Sequence, residues 1–235
     1  MSIILSIETS TKGCSTAIHQ GAQLLALSEL FHEKSSSGML TTLIQHVVKV
    51  SGLDFEAIDA IAVAKGPGSY TGLRIGVSTA KGLCFTLDKP LLAVNTLQAM
   101  AWQVYSIAQA INTNDIPLLC PMLDARRMEV YCALYRANNL EQVVATEAKI
   151  IDEQSFAEIL ETQKIIFFGD GAAKCEAVLG HNPNAIFLKE TINPSARSIG
   201  VLAHKAYQNS QFEDVAEFEP YYLKEFMATT PKKAL

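Results

Sequence analysis

The residues best suited to chemistry fall in two acid-bearing turns and one glycine-rich bend. The first turn, Glu8-Thr9-Ser10-Thr11-Lys12-Gly13, sets a carboxylate beside hydroxyls and an ammonium. The second, Asp124-Ala125-Arg126-Arg127, sets a carboxylate beside two guanidinium groups, with Glu129 just after it. Carboxylates placed this way could position a phosphate and its attacking water, the chemistry of an ATP hydrolase or a small-molecule kinase. Each cluster also has a plain structural use. A polar turn can satisfy its own backbone, and Asp124, Arg126 and Glu129 can form a local ion-pair network.

The bend lies in the stretch from Ala62 to Gly82, where KGPGSYTG joins an apolar run to a helical pattern. Gly66, Gly68 and Gly72 permit backbone angles and close approaches that a β-carbon forbids, and Pro67 disfavours the helical region at Gly66. Helix amides after Thr71, the expected cap, could hold an anion. The spacing fits neither common phosphate motif. A P-loop needs lysine and a hydroxyl residue after its last glycine, whereas Leu73 and Arg74 follow Gly72. The dinucleotide fingerprint needs one residue fewer between Gly68 and Gly72, and a strand–helix–strand unit where this chain opens with a meander.

The elements that must position these residues read out twice in the same order. Ile3–Ile7, Cys14–Gln20 and Leu24–Leu30 read as a meander. A helix over Met39–Ser51, with Ser36 or Ser37 as its cap, then leads to a buried strand over Ile58–Ala64, the glycine bend and a helix to about Leu87. A strand over Pro90–Val94 and an amphipathic helix over Thr96–Ala110 close the first half. Past an expected hinge at Asn112–Asp115, strands over Leu118–Leu123, Glu129–Tyr135 and Gln142–Ala148 repeat the meander. A helix over Gln154–Glu161, a strand over Ile165–Phe168, the turn Gly169-Asp170-Gly171 and a further helix complete the second copy, so that Asp124 answers Glu8. A short strand near Ala185–Leu188 and a helix over Arg197–Asn209 follow. Glu219–Leu223 is expected to pack back on the body, and Pro231-Lys232-Lys233 to fray.

The 235 residues carry a net charge of −5, with 49% hydrophobic and 18% charged residues. Their mean hydropathy is +0.17. These values describe a globular chain with material for two lobes, and argue against one that grips nucleic acid alone, since such binding rests on cationic contacts to phosphate. MSIILSIE lacks a basic leader and stops at Glu8, so a cytoplasmic protein without a membrane span is expected. Cys14, Cys84, Cys120, Cys132 and Cys175 are scattered without a C-x-x-C pair, which reads as buried reduced thiols.

Two acid-bearing turns in duplicated lobes resemble the layout of actin, the sugar kinases and the heat-shock ATPases. The expected fold is α/β, a duplicated actin-like, ribonuclease H-like (ASKHA) two-lobed fold. Residues 1–110 form one lobe, completed by the C-terminal helix in 197–223. Residues 111–196 form the other, and 224–235 a tail. More closely, IETSTKGCSTAI, AVAKGPGSYTGLRIGVSTAKGL and LDARRMEVY resemble the signature stretches of the bacterial TsaB (YeaZ) family.

That resemblance implies a subunit without chemistry of its own. It pairs with the TsaD-like metalloenzyme that makes threonylcarbamoyladenosine beside the tRNA anticodon. A TsaE-like ATPase joins through the complex, tRNA is met only through the complex, and neither membrane nor DNA is bound. Alone, the chain is expected to form a homodimer. The resemblance places the contact on the first two helices. The stripe Met39, Leu40, Leu43, Ile44, Val47 and Val48, the small-residue row Gly72, Gly76 and Ala80, and Arg74 would then face the partner. Glu8, Ser10, Thr11, Lys12 and Asp124 would be a vestigial nucleotide site, with no cofactor beyond weak nucleotide binding at the partner boundary. Glu8 also stands where active ATPases of this fold carry aspartate. No metal site is expected, because catalytic relatives carry two histidines four residues apart on a helix, whereas His19, His32, His46, His181 and His204 lie farther from one another. TsaB relatives often keep a histidine before the first long helix; here that place reads EKSSSG, with His32 a few positions earlier.

Overall fold

Central strands buried on both faces must be apolar almost throughout, and β1 (Ile3–Glu8) and β4 (Ala60–Gly66) meet that demand. The computed structural model describes residues 1–31, 35–108 and 116–224. In it β1 pairs antiparallel with β2 (Cys14–Gln20), and β2 with β3 (Gln23–Leu30). On its other side β1 pairs parallel with β4, and β4 with β5 (Leu91–Asn95), giving the order β3-β2-β1-β4-β5. β6 (Leu118–Asp124), β7 (Glu129–Arg136), β8 (Gln142–Ile150), β9 (Ile165–Phe168) and β10 (Ala185–Phe187) repeat it as β10-β9-β6-β7-β8. Two five-stranded sheets with the same senses of pairing establish the duplicated actin-like fold.

The helices are α1 (Ser35–Ser51), α2 (Tyr70–Leu87), α3 (Thr96–Ala108), α4 (Ala157–Leu160), α5 (Ala172–Leu179) and α6 (Ala196–Gln208). Alternation along β1 splits its side chains between two cores. Leu5 and Ile7 face α1 and α2 with Ile44, Val47 and Val77. Ile4 faces a core that reaches both sheets, through Leu97 and Met100 of α3, Ile199 and Ala203 of α6, and Leu119, Tyr135 and Phe168. Helix α6 packs across the first sheet, and α3 touches strands of both. A third core joins the second sheet to α4 and α5, and all five cysteines are buried free thiols.

Several boundaries differ from the sequence reading. Helix α1 starts at Ser35, so Ser36 and Ser37 lie inside it. Ser69, not Thr71, caps α2, its hydroxyl accepting the Gly72 N–H at 3.3 Å. Helix α4 is a single turn because Phe156, in the left-handed region at φ +63°, starts it late. The expected hinge at Asn112–Asp115, His32 and the tail beyond Lys224 lie outside the described residues.

Candidate functional site

The β1–β2 turn is the chemical centre of the first lobe, and its carboxylate is sealed. Glu8 is 2% exposed. One oxygen, Oε1, accepts the Ser10 N–H, while Oε2 is buried without a hydrogen-bond partner among the described residues. Burial pushes the carboxyl up to about 7, against the pull of its bonds to Ser10 and Thr9. Ser10 is buried, Thr11 half-buried and Lys12 exposed. The sequence set these four side together as a polar turn; the structure turns the acid inward.

What occupies the space before this turn is helix α2. Thr9 Oγ1 donates to the Gly72 carbonyl at 2.8 Å, and Ser69 N–H donates to the Ser10 carbonyl at 2.6 Å. A β-carbon on Gly72 would stand 2.1 Å from the Thr9 carbonyl oxygen, and one on Gly76 2.2 Å from Thr9 Oγ1. Gly72 and Gly76 therefore admit the chain's own turn, Ala80 belongs to the core under the first sheet, and all three are buried. This corrects the expectation that the row faces a partner. Gly68 likewise lies against Ser10. Gly66, at φ +111° before the cis peptide to Pro67, has the Tyr221 carbonyl oxygen 2.9 Å from where its β-carbon would be.

Gly72→Ala tests this fit. The obstacle is backbone, so the added methyl is expected to cost about 3 kcal/mol, the upper end for overpacking an interior. Urea unfolding measures it, and unchanged stability would show that the turn yields.

The Tyr221 contact belongs to a C-terminal strap over residues 211–224. Glu213 N–H donates to the Leu91 carbonyl at 2.9 Å, Lys81 Nζ to the Ala216 and Phe218 carbonyls at 2.9 and 3.1 Å, and Tyr221 N–H to the Lys65 carbonyl at 2.7 Å. Arg74 Nε donates to Tyr222 Oη at 3.1 Å, and its guanidinium sits 4.2 Å from the Tyr70 ring centroid. Arg74 thus anchors the strap. A surface depression of about 590 Å³ lies beside the strap, lined by Lys65, Glu213, Asp214, Glu217 and Glu219, away from Glu8 and Asp124.

The second turn is built differently. Asp124 is exposed, and its Oδ1 takes an ion pair from Lys174, which also donates to the Arg127 carbonyl at 2.7 Å and the Glu129 carbonyl at 2.8 Å. Glu129 pairs with Lys224 of the strap. Asp170 Oδ1 accepts the Asp124 N–H at 3.0 Å, and burial pushes the Asp170 carboxyl up. The expected network of Asp124, Arg126 and Glu129 is corrected: both acids pair with distant lysines, and Arg126 contributes its backbone N–H, at 3.2 Å from Asp124 Oδ1. Sequence reading missed Lys174 and Lys224 because nothing local couples positions so far apart. It also missed Asn95, whose Oδ1 accepts the Leu97 and Gln98 N–H groups while its Nδ2 donates to Thr146 Oγ1 at 3.1 Å across the lobes.

Among the described residues no three His, Cys, Asp or Glu side chains are grouped to hold a metal ion. His19 is buried against Gly200, and burial pulls its ring down to about 4. His46 Nδ1 lies 3.0 Å from Ser28 Oγ, His181 Nδ1 2.8 Å from the Val178 carbonyl and His204 Nδ1 3.2 Å from Ser2 Oγ.

The expected partner stripe on α1 is also corrected. Leu40, Ile44, Val47 and Val48 are at most 4% exposed and belong to the core under the first sheet; Leu43 is half-buried and Met39 exposed. The outward line on α2 is instead Thr71, Arg74, Ser78, Gly82 and Phe85, with Phe85 88% exposed.

The chain is thus a duplicated actin-like protein whose own helix covers the turn of the first acid. The family model described as "TsaD: tRNA N6-adenosine threonylcarbamoyltransferase" matches residues 31–232. The chain is 28% identical to the Escherichia coli tRNA threonylcarbamoyladenosine biosynthesis protein TsaB, over 96% of both chains. It is 31% identical to the Haemophilus influenzae protein of the same description, over 69% of this chain and 61% of that one. The structure of YeaZ from Pseudomonas aeruginosa superposes with a TM-score of 0.79 at 25% identity, covering 95% of this chain and 100% of that one. The chain belongs to the TsaB (YeaZ) family.

Proposed function

We propose that this chain is a non-catalytic scaffold that binds a TsaD-like metalloenzyme subunit and activates it in making threonylcarbamoyladenosine on tRNA. The observation that carries this reading is the filled first turn. Glu8 is buried, and the bend at Gly68 and helix α2 lie on Ser10 and Thr9 too closely for a methyl group to fit, so the turn that the resemblance assigns to nucleotide is covered by the chain itself. The family membership supports the pathway, and relatives described as tRNA threonylcarbamoyladenosine biosynthesis proteins support the substrate.

In this reading the outward faces of α1 and α2 meet the partner. Ser78 and Gly82, four residues apart and exposed, let a second helix approach closely, and Phe85 supplies the apolar anchor. Without TsaD the same face pairs two copies of this chain. A TsaE-like ATPase and tRNA join through the complex, and the chain holds no cofactor of its own. A cytoplasmic location accords with this role; among the described residues no helix is long and apolar enough to cross a membrane.

The test is reconstitution of the modification with and without this chain, with assembly followed on a sizing column. Phe85→Ser is expected to leave the melting curve in place, since exposed substitutions shift stability within about 0.5 kcal/mol, and to abolish both self-pairing and co-elution with TsaD. Normal assembly by that variant would move the interface elsewhere. The competing reading, an independent ATPase or small-molecule kinase, is met by calorimetric titration with magnesium and ATP, where micromolar binding with turnover would replace the scaffold.

A further inference from the structure

We propose that the β6–β7 turn presents Arg126 and Arg127 to the phosphodiester backbone of the RNA that the complex modifies. The inference rests on the scaffold reading and goes beyond it by giving this chain its own RNA contact.

The turn holds two adjacent arginines in the left-handed region, Arg126 at φ +71° and Arg127 at φ +48°. Non-glycine residues seldom adopt it, so the surroundings must impose it. Lys174 does so from beneath, its single ammonium tying together the Asp124 carboxylate and the Arg127 and Glu129 carbonyls. The Glu129 N–H donates to the Arg126 carbonyl at 3.1 Å, and the Ala125 N–H to the Glu129 carbonyl at 3.1 Å. The backbone is fixed on its inner side, and both arginines are exposed.

The charges sort in the same direction. Asp124 is paired with Lys174 and Glu129 with Lys224, while neither Arg126 nor Arg127 has an ion pair among the described residues. Asp170, exposed beside the turn, accepts the Asp124 N–H through Oδ1. Among the five arginines of the chain, Arg74 and Arg136 are engaged with Tyr222 and Glu141. Two guanidinium forks on a fixed turn fit phosphate oxygens bidentately. An acidic protein segment would fit them as well, but a protein interface needs an apolar centre. The turn has no large exposed apolar side chain of its own; Ile150, across the sheet from Glu129, is its exposed apolar neighbour. With a net charge of −5, the chain gains RNA affinity from this contact only alongside a partner.

The experiment compares complexes of TsaD with the wild-type chain, the Arg126→Gln/Arg127→Gln double variant and the Arg126→Lys/Arg127→Lys double variant. Binding of labelled tRNA is read by fluorescence anisotropy across a potassium chloride series, and assembly by co-elution. The glutamine pair is expected to weaken tRNA binding about tenfold and to lower the log–log salt slope by roughly 1.5, with co-elution and melting unchanged. The lysine pair is expected to restore the slope, because each ammonium still neutralises a phosphate. Unchanged affinity and slope in the glutamine pair overturn the proposal. Loss of co-elution by that pair also overturns it, since the turn would then dock protein. A wild-type chain that fails to co-elute with TsaD overturns the scaffold reading, and this proposal with it; a wild-type complex that co-elutes but binds no tRNA overturns the RNA contact alone.

Discussion

Val47→Glu is expected to abolish folding, whereas Phe85→Ser on the outer face of α2 leaves the fold intact. Val47 is 0% exposed, packed with Leu40, Ile44 and Val48 between α1 and the first sheet. Losing that burial removes about 2 kcal/mol, and a carboxyl group without partners in the same place costs several more whether it ionises or takes up a proton. The sum is comparable with the whole stability of an ordinary domain, about 5–15 kcal/mol. Circular dichroism at increasing temperature should therefore show no cooperative transition for Val47→Glu and a wild-type transition for Phe85→Ser. A cooperative melt for Val47→Glu would mean that the stripe on α1 faces out, and would return it to the partner interface.

The second large effect is a stability that falls as pH rises, traceable to Glu8. Its carboxyl titrates near 7 in the folded protein and at the ordinary 4.5 when unfolded. Between those values the folded state keeps a proton that the unfolded chain has released, so the contribution is complete below about pH 4.5 and is lost as pH rises through 7. Over that span wild-type stability should drop by about 3 kcal/mol relative to Glu8→Gln, whose amide cannot ionise. His19 acts in the opposite sense, losing stability as pH falls from 6.5 towards 4, but it is present in both proteins and cancels in the comparison. Urea unfolding of both at pH 5 and pH 8 gives the difference, and parallel pH profiles would show that Glu8 is solvated. The same measurement bears on function, because a carboxyl that still holds its proton part of the time at neutral pH is a poorer ligand for the magnesium of a nucleotide than one that stays ionised.

Much of the fold was legible in the sequence. Strand and helix types follow from patterns within a few residues, so the two meanders, the repeated element order and the match of Glu8 with Asp124 could be read directly. The helix boundaries that moved did so where caps decide: Ser69 and Phe156 are single residues whose role depends on one hydrogen bond or one dihedral angle.

Spacing alone established that the chain has glycines where close approaches occur, that its bend fits no phosphate motif, and that no two histidines stand one helical turn apart. Only the tertiary structure decided what the glycines approach. Gly72 and Gly76 meet Thr9, and Gly66 meets Tyr221, contacts between residues up to 155 positions apart that leave no local trace. Tertiary structure likewise buried Glu8, gave Asp124 and Glu129 to Lys174 and Lys224, and left Arg126 and Arg127 outward. A periodic apolar stripe on α1 states that one face of the helix must be covered. Whether the cover is the chain's own sheet or another protein depends on how the elements assemble, and here the sheet covers it.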